Sequence, residues 1–512
     1  MPGIALDGRH LDLDAIASVA AGARVGLAPG GRERMEAAHQ VVRRIVAEGR
    51  QVYGVNTGFG HLKDIRIPPE RVAELQLNLV RSHAAGVGEP LDEPAVRVLM
   101  LLRAHVLARG HSGVRPEVVE TLLAHLNAGV LPVIPRQGSV GASGDLAPLS
   151  HLALMLVGEG EATLDGARLP SAEAQRRRGL RPLVLEAKEG LALVNGTQLI
   201  TAIGTLALLE AKALATAADV IGATTLEALE GSHRAFDARL QALRPHPGQA
   251  ASAANLRAVL HGSAVAPAHA DCGRVQDAYS LRCMPQVHGA SRDVMRFVES
   301  VLAIEIDAVT DNPIVFPEEG ELLSGGNFHG QPPAVALDAL ALAAAGLASI
   351  SERRVERLMN PAHSGLPPFL TPDPGVHSGL MMAQVTAAAL VSENKVLCHP
   401  ASVDSIPTEA GQEDHVSMGP IAARKARRVV RHARQVLAIE MLSACQALDL
   451  RRGPKPGRGV LAAWEAVRRK VPPMQADRVL APDIAAVESL LLDGSLVGAA
   501  AAAAGALALA PP

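Results

Sequence analysis

Apolar positions follow two different rhythms along this chain. In the first third, short apolar-periodic segments are punctuated at both ends. Pro94 opens and Gly110 closes one, and Pro116 opens and Gly129 closes the next, which is the proline-first, glycine-last signature of helices. Around them lie Gly-rich stretches without periodicity, Tyr53–Gly60, Gly86–Pro90 and Pro132–Pro148, which predict loops gathered on a helical scaffold. From Gly196 onward the rhythm changes to long Ala/Leu-rich runs at helical spacing: Thr197–Glu230, His288–Val309, Ala334–Met359, Val376–Cys398 and Val416–Leu448. These predict long bundle helices. Charges such as Asp338 and Glu352 interrupt them, so the expected burial is against each other or against other subunits, not in a bilayer. The expected fold is mainly α. A mixed, loop-rich N-terminal domain covers residues 1–195, and a long-helix bundle covers 196–512 with an Ala-rich tail at Leu496–Pro512.

Composition narrows the classes of function. The 512 residues carry 49 Lys+Arg against 52 Asp+Glu, a formal net charge of -3, and aromatic residues make up only 2%. A nucleic-acid footprint needs a basic surface with aromatic platforms, so no nucleic-acid partner is expected. The basic run Arg424–Arg434 is read as a solvated or subunit-facing helix side. With so few aromatics the core must be packed by Ala, Leu and Val, which favours closely approaching helices. Cys272, Cys283, Cys398 and Cys445 form no CxxC pair and read as reduced thiols. Met1–Ala20 lacks the basic-then-apolar export pattern. A cytoplasmic protein without a membrane partner is expected.

Several chemical motifs are absent: HExxH, GxxxxGK[ST] and a complete GxGxxG. The histidines show no ligand spacing, and no metal is expected. Gly141-Ala142-Ser143-Gly144-Asp145 resembles a hydrolase nucleophile elbow but places Asp145 where GxSxG requires glycine. The same residues permit different chemistry. The Gly144 nitrogen can attack the Ala142 carbonyl carbon and close a five-membered ring, unhindered because glycine has no side chain. Loss of one water from the ring, and of the Ser143 hydroxyl as a second, leaves a methylidene-imidazolone, a strong electrophile made from backbone. Taken alone, Ala-Ser-Gly in a chain with 47 glycines is a plain turn.

Its surroundings change that reading. The run Gly138-Ser139-Val140-Gly141-Ala142-Ser143-Gly144-Asp145-Leu146-Ala147-Pro148-Leu149 resembles the cofactor loop of the histidine and aromatic amino acid ammonia-lyases. Tyr53–Gly60, Ser82–Gly86, Asn195-Gly196-Thr197, Gln276–Arg282, Gly326–Gly330 and Gln412-Glu413-Asp414-His415 agree in order and spacing. The resemblance implies the long-helix architecture shared with the fumarase and aspartase type, homotetramers with active sites built from several subunits, and an electrophile (4-methylidene-imidazol-5-one, MIO) made autocatalytically from Ala142, Ser143 and Gly144. No external cofactor is then needed. Removing a β-proton that no carbonyl activates while expelling a poor amine is a hard step, and covalent capture of the amine divides it.

The resemblance also implies roles. Tyr53 and Tyr279 are both tyrosines of the chain; Tyr53 is the first choice as β-proton base, and Tyr279 positions groups beside the electrophile. Arg282 grips the substrate carboxylate, a task suited to a planar guanidinium. Asn195, Gln276 and Gln412 hydrogen-bond cofactor or substrate, with helix capping the alternative for Asn195, and Phe328 packs near the electrophile. His83 and Glu413 are similar to the histidine-specific versions of their blocks. A carboxylate can accept an imidazole N–H that a phenyl side chain lacks, so elimination of ammonia from L-histidine to trans-urocanate is expected. Tyrosine or phenylalanine lyases, aminomutases and an inactive helical scaffold are the alternatives. His83 either shapes the site or assists Tyr53. The segment Thr408-Glu409-Ala410-Gly411 departs from the Ser/Thr-Ala-Asn pattern expected before Gln412.

Overall fold

Proline and glycine end the first helices where their punctuation predicts. Pro94 lies in the first turn of Glu93–Ala108, and Pro116 opens Pro116–Ala128, whose C-cap Gly129 has φ 70°. That left-handed backbone is one a Cβ disfavours. In the computed structural model, which describes residues 3–269, 273 and 275–508, the chain forms two compact units. The first comprises Met1–Leu206, Ser300–Leu337 and Pro400–Arg424, the second Ala207–Glu299, Asp338–His399 and Lys425–Pro512. The boundaries at Leu206, Glu299, Leu337 and Arg424 fall inside long helices, not in linkers.

In the first unit lies every strand among the described residues, in four small sheets. Ile4–Leu6 pairs parallel with Val25–Leu27, and Ile314–Phe316 pairs antiparallel with Glu321–Leu323. Leu131–Pro132, Glu161–Leu164 and Ala167–Pro170 form an antiparallel three-stranded sheet. Two of the stretches expected as loops meet in the remaining pair, where Val87–Pro90 runs antiparallel to Pro135–Gln137 with a register shift between its matched residues. Strands this short show no alternation that a sequence pattern could reveal. At the centre of the unit, the helix from Ala95 to Ala108 is buried at every position, as a helix apolar around most of its circumference must be. A second cluster gathers Ala38, Val41, Val42, Ile45, Val55 and Val315.

The second unit is built from the long runs. Gln198–Ala228, Met284–Asp307, Gln331–Met359, Met381–Leu397 and Gly419–Arg451 are all helices, and small buried residues such as Ala215, Ala218, Ala344, Ala348, Ala433 and Ala444 let their backbones approach closely. Gln198–Ala228 and Gln331–Met359 have the length and hydropathy of a membrane span, yet 72% and 67% of their apolar windows are buried within the protein. The Ala-rich tail forms the helix Ser495–Ala504, which buries Leu496 and Ala500 and packs on Arg458–Arg468. Residues 509–512 of that tail, and Cys272, lie outside the described residues; Cys283, Cys398 and Cys445 are free thiols. Within the basic run, Arg428 pairs with Glu393 at 2.5 Å and Arg434 with Glu488 at 2.8 Å.

Candidate active site

The Gly138–Asp145 loop is shaped by where glycine is needed. Gly144 has φ 73°, and a Cβ there would run into the Gly196 carbonyl. The two segments are joined backbone to backbone: Asp145 N donates to Gly196 O at 2.7 Å, and Gly196 N to Ser143 O at 3.4 Å. Ser139 Oγ tightens the turn, donating to Gly144 O at 3.2 Å and accepting from Gly141 N at 3.1 Å. Among the described residues the Gly144 amide nitrogen donates no hydrogen bond. It is therefore not held back from other chemistry by a partner.

Two buried charges lock this junction, and sequence reasoning missed both. Asp145 Oδ2 accepts Leu199 N at 2.8 Å and Ile200 N at 3.0 Å, placing a carboxylate at the N-terminus of Gln198–Ala228 where free amides and the helix dipole favour it. Burial nevertheless pushes Asp145 up to about 7, against the pull of those amides and of Arg103. Arg103 reaches from the central helix, its Nη1 donating to Asn195 O at 2.6 Å and Gln198 Oε1 at 2.9 Å. Burial lowers its pKa to about 10, still cationic near neutrality. Asp145 is inside the recognised loop but reads only as the residue that breaks GxSxG. Arg103, within an apolar helix, carries no local signal.

The loop opens on a cavity of about 690 Å³. Its walls include Tyr53, Ala142, Ser143, Asn195, Phe328, Gln412 and Glu413, so seven predicted residues from separated blocks converge there. Ser143 Oγ donates to Glu413 Oε1 at 2.8 Å, while Thr408 Oγ1 donates to Oε2 at 2.5 Å. Lys63 Nζ holds Gln412 Oε1 at 2.6 Å. Asn195 is buried, and its Oδ1 has no partner among the described residues. Tyr53 Oη accepts a long 3.4 Å hydrogen bond from Gly60 N, and its ring stands edge-on to Phe59. Burial raises the Tyr53 pKa, the Gly60 amide opposes it, and Glu409 and Glu413 raise it further.

Glu409 is a wall residue that the family pattern did not suggest. It belongs to the departing segment, where Glu409, Ala410 and Gly411 have φ 48°, 54° and 84°. Three successive left-handed residues explain why glycine is accepted at 411 in place of asparagine, the other residue that tolerates this region. Burial raises the Glu409 pKa, with Glu413 adding to the effect. His329 and His415, also on the wall, stack at 5.8 Å, and His329 Nε2 donates to His415 O at 3.1 Å. His83, half-buried at the end of Val72–His83, is not on the wall; its Nδ1 lies 3.0 Å from Ser82 Oγ. Burial lowers its pKa, and Glu413 opposes that shift.

The remaining predicted residues lie in the second unit. Gln276 is exposed, and Tyr279 has 70% of its surface open. Arg282 places its guanidinium carbon 4.7 Å from the Tyr279 ring centre, a cation–π contact. Its Nε is buried with no partner among the described residues.

Comparison with known proteins gives a consistent picture. The family model described as aromatic amino acid lyase matches residues 11–469. A histidine ammonia-lyase of Anaeromyxobacter sp. (strain K) is 59% identical over 97% of this chain and 100% of its own length. Among solved structures, histidine ammonia-lyase from Trypanosoma cruzi superposes with a TM-score of 0.91 at 46% identity, covering 98% of this chain and 95% of that one. Tyrosine aminomutase from Streptomyces globisporus reaches 0.94 at 39% identity, covering 99% and 100%.

Proposed function

Because the chain belongs to the aromatic amino acid lyase family, we propose that it is an L-histidine ammonia-lyase, eliminating ammonia from L-histidine to give trans-urocanate. The observation that carries the substrate is Glu413, whose carboxylate stands 2.8 Å from Ser143 Oγ on the cavity wall. A carboxylate there can accept an imidazole N–H, which a phenyl ring does not offer. The identity is also higher to proteins named histidine ammonia-lyase than to the tyrosine aminomutase.

The Ala142-Ser143-Gly144 loop suits conversion to an MIO ring. A free Gly144 nitrogen, a tight turn and a polar partner for the departing Ser143 hydroxyl support that reading. The ring would supply an electrophilic carbon that eases departure of the amine. The chain's own residues do the rest. Tyr53 removes the β-proton. Glu413 orients the imidazole, with His83 beside it, and Asn195 offers its free Oδ1 as an acceptor for an N–H of the bound substrate or cofactor. Gln412, steadied by Lys63, adds a second amide, and Phe328 closes the apolar side.

Gln276, Tyr279 and Arg282 are, in this reading, contributed to the cavity by another subunit of a cytoplasmic homotetramer. The exposure of Gln276 and Tyr279 and the buried, unpartnered Arg282 Nε support it. Arg282 grips the substrate carboxylate, and its positive charge favours the Tyr53 phenolate that two carboxylates otherwise oppose. Tyr279 sits against Arg282 and steadies it.

The test is urocanate absorbance over time with L-histidine, run beside L-tyrosine, L-phenylalanine and the Ser143→Ala protein. A histidine-only signal lost in Ser143→Ala is expected. Cinnamate-type product from the other substrates, or a β-amino acid product, reassigns the enzyme within the family.

A further inference from the structure

The helical unit holds a chain of charged side chains, sealed from solvent, that the proposed chemistry does not use. Arg354 forks onto Glu440, with Nε 2.5 Å from Oε1 and Nη2 2.7 Å from Oε2, and both side chains are fully buried. The Thr225 and Ser351 hydroxyls complete Glu440 at 2.7 and 2.6 Å. The third nitrogen, Nη1, lies 3.4 Å from each of two acceptors: Nε2 of His288 and the backbone carbonyl of Ser280. His288 Nδ1 is 2.8 Å from Asp219 Oδ1. The imidazole therefore carries its proton on Nδ1 and offers Nε2 to Arg354. Asp219 is itself saturated by Ser252 at 2.5 Å, Asn255 at 2.9 Å and Arg292 at 2.7 Å.

Stability alone gives little reason for such an array. Burying ions costs several kcal/mol each, and apolar replacements of similar volume are often neutral or stabilising. What an apolar core could not do is hold a backbone carbonyl. Ser280 lies inside the helical turn Tyr279–Arg282, four residues long, which is far too short to fix its own orientation. The turn carries an exposed tyrosine and the arginine stacked on it.

We infer that Arg354 is a positioning residue: clamped by Glu440 and His288, it holds the Ser280 carbonyl and so aims Arg282 at the substrate carboxylate. The inference rests on the proposed role of Arg282. Arg354→Lys keeps a cation opposite Glu440, but one ammonium cannot fork onto that carboxylate and reach Ser280 as well.

The experiment uses the full-length oligomeric enzyme and compares L-histidine kinetics with inhibition by imidazole-4-propionate, which has a carboxylate, and histamine, which has none. Arg354→Lys is expected to raise the histidine KM and the imidazole-4-propionate inhibition constant about tenfold, the scale of one weakened charge-assisted contact, while histamine binding stays within about twofold. Equal losses for both inhibitors, or none for either, overturn the inference. Arg282→Lys is the reference. If it weakens the carboxylate ligand and Arg354→Lys does not, the role of Arg282 stands and this inference falls; if Arg282→Lys has no such effect, both fall. Should Arg354→Lys fail to fold, His288→Gln, which loosens one side of the clamp without changing charge, must reproduce the same selectivity.

Discussion

The two units of this chain manage polar groups in opposite ways. In the first, the key junction is backbone against backbone: a Cβ on Gly144 would run into the Gly196 carbonyl, and Asp145 ties the junction to a helix start. Side chains are then free to face a cavity, and Asn195 Oδ1, Tyr53 Oη and the Glu413 carboxylate do so. In the second unit the polar groups pair with one another inside long helices, as Arg354–Glu440 and Asp219–Arg292 do, while Tyr279 is left open to the outside. The first unit holds the cavity, and Lys63 on its wall is engaged by Gln412. The second carries Arg282 stacked on the exposed Tyr279. In the proposed reading the two are complementary halves of one site, with an unpartnered Asn195 Oδ1 in the first and an unpartnered Arg282 Nε in the second.

Ser143→Ala strikes the first unit hardest. It removes the hydroxyl lost in ring formation, so activity should fall by a factor on the order of 10³ or more, and the loop peptide should have the mass of its uncyclised sequence. Tyr53→Phe comes next, with a loss of roughly 10²–10⁴ in kcat/KM. For the unaltered enzyme kcat/KM should rise about tenfold per pH unit below the Tyr53 pKa, since only the phenolate accepts the proton. A profile flat across that range would exclude Tyr53 as base. Glu413→Gln should raise KM for L-histidine about tenfold and narrow the preference over L-phenylalanine, as loss of one charged acceptor predicts.

Legibility depended on whether a feature is local in the sequence. Helix starts at Pro94 and Pro116 and the long runs after Gly196 were readable because periodicity and punctuation are local properties. The strand pairing of Val87–Pro90 with Pro135–Gln137 was not, because register depends on a partner far away in sequence. At the site, Tyr53, Ser143, Asn195, Phe328 and Glu413 were found through motif blocks and meet in one cavity. Arg103 and Lys63 act on the loops carrying Asn195 and Gln412, and nothing near them in the sequence marks that task. Glu409 was visible only as a departure from a pattern; its meaning came from the left-handed turn it occupies.

Smaller effects sharpen the contrast. Burial raises the Asp145 carboxyl from its ordinary 3.8 to about 7 in the folded protein. A carboxyl raised in this way takes up a proton on folding, so its contribution is present below about pH 4 and is lost as pH rises toward 7. Thermal unfolding of Asp145→Asn should therefore lose less stability between pH 5 and pH 8 than the parent does. Smallest is Glu409→Gln, which removes one of the charges opposing the Tyr53 phenolate. The acid limb of the pH profile should move down by about half a pH unit or less.

The central claim, that one subunit's cavity is completed by another's Tyr279–Arg282 turn, is tested most directly by mixing two inactive proteins. Ser143→Ala and Arg282→Ala chains, dissociated and reassembled together, should regain activity, because some sites then combine an intact loop from one chain with an intact arginine from the other. If each protein alone is inactive and verified mixed oligomers remain so, the site is built within a single chain and the account is wrong.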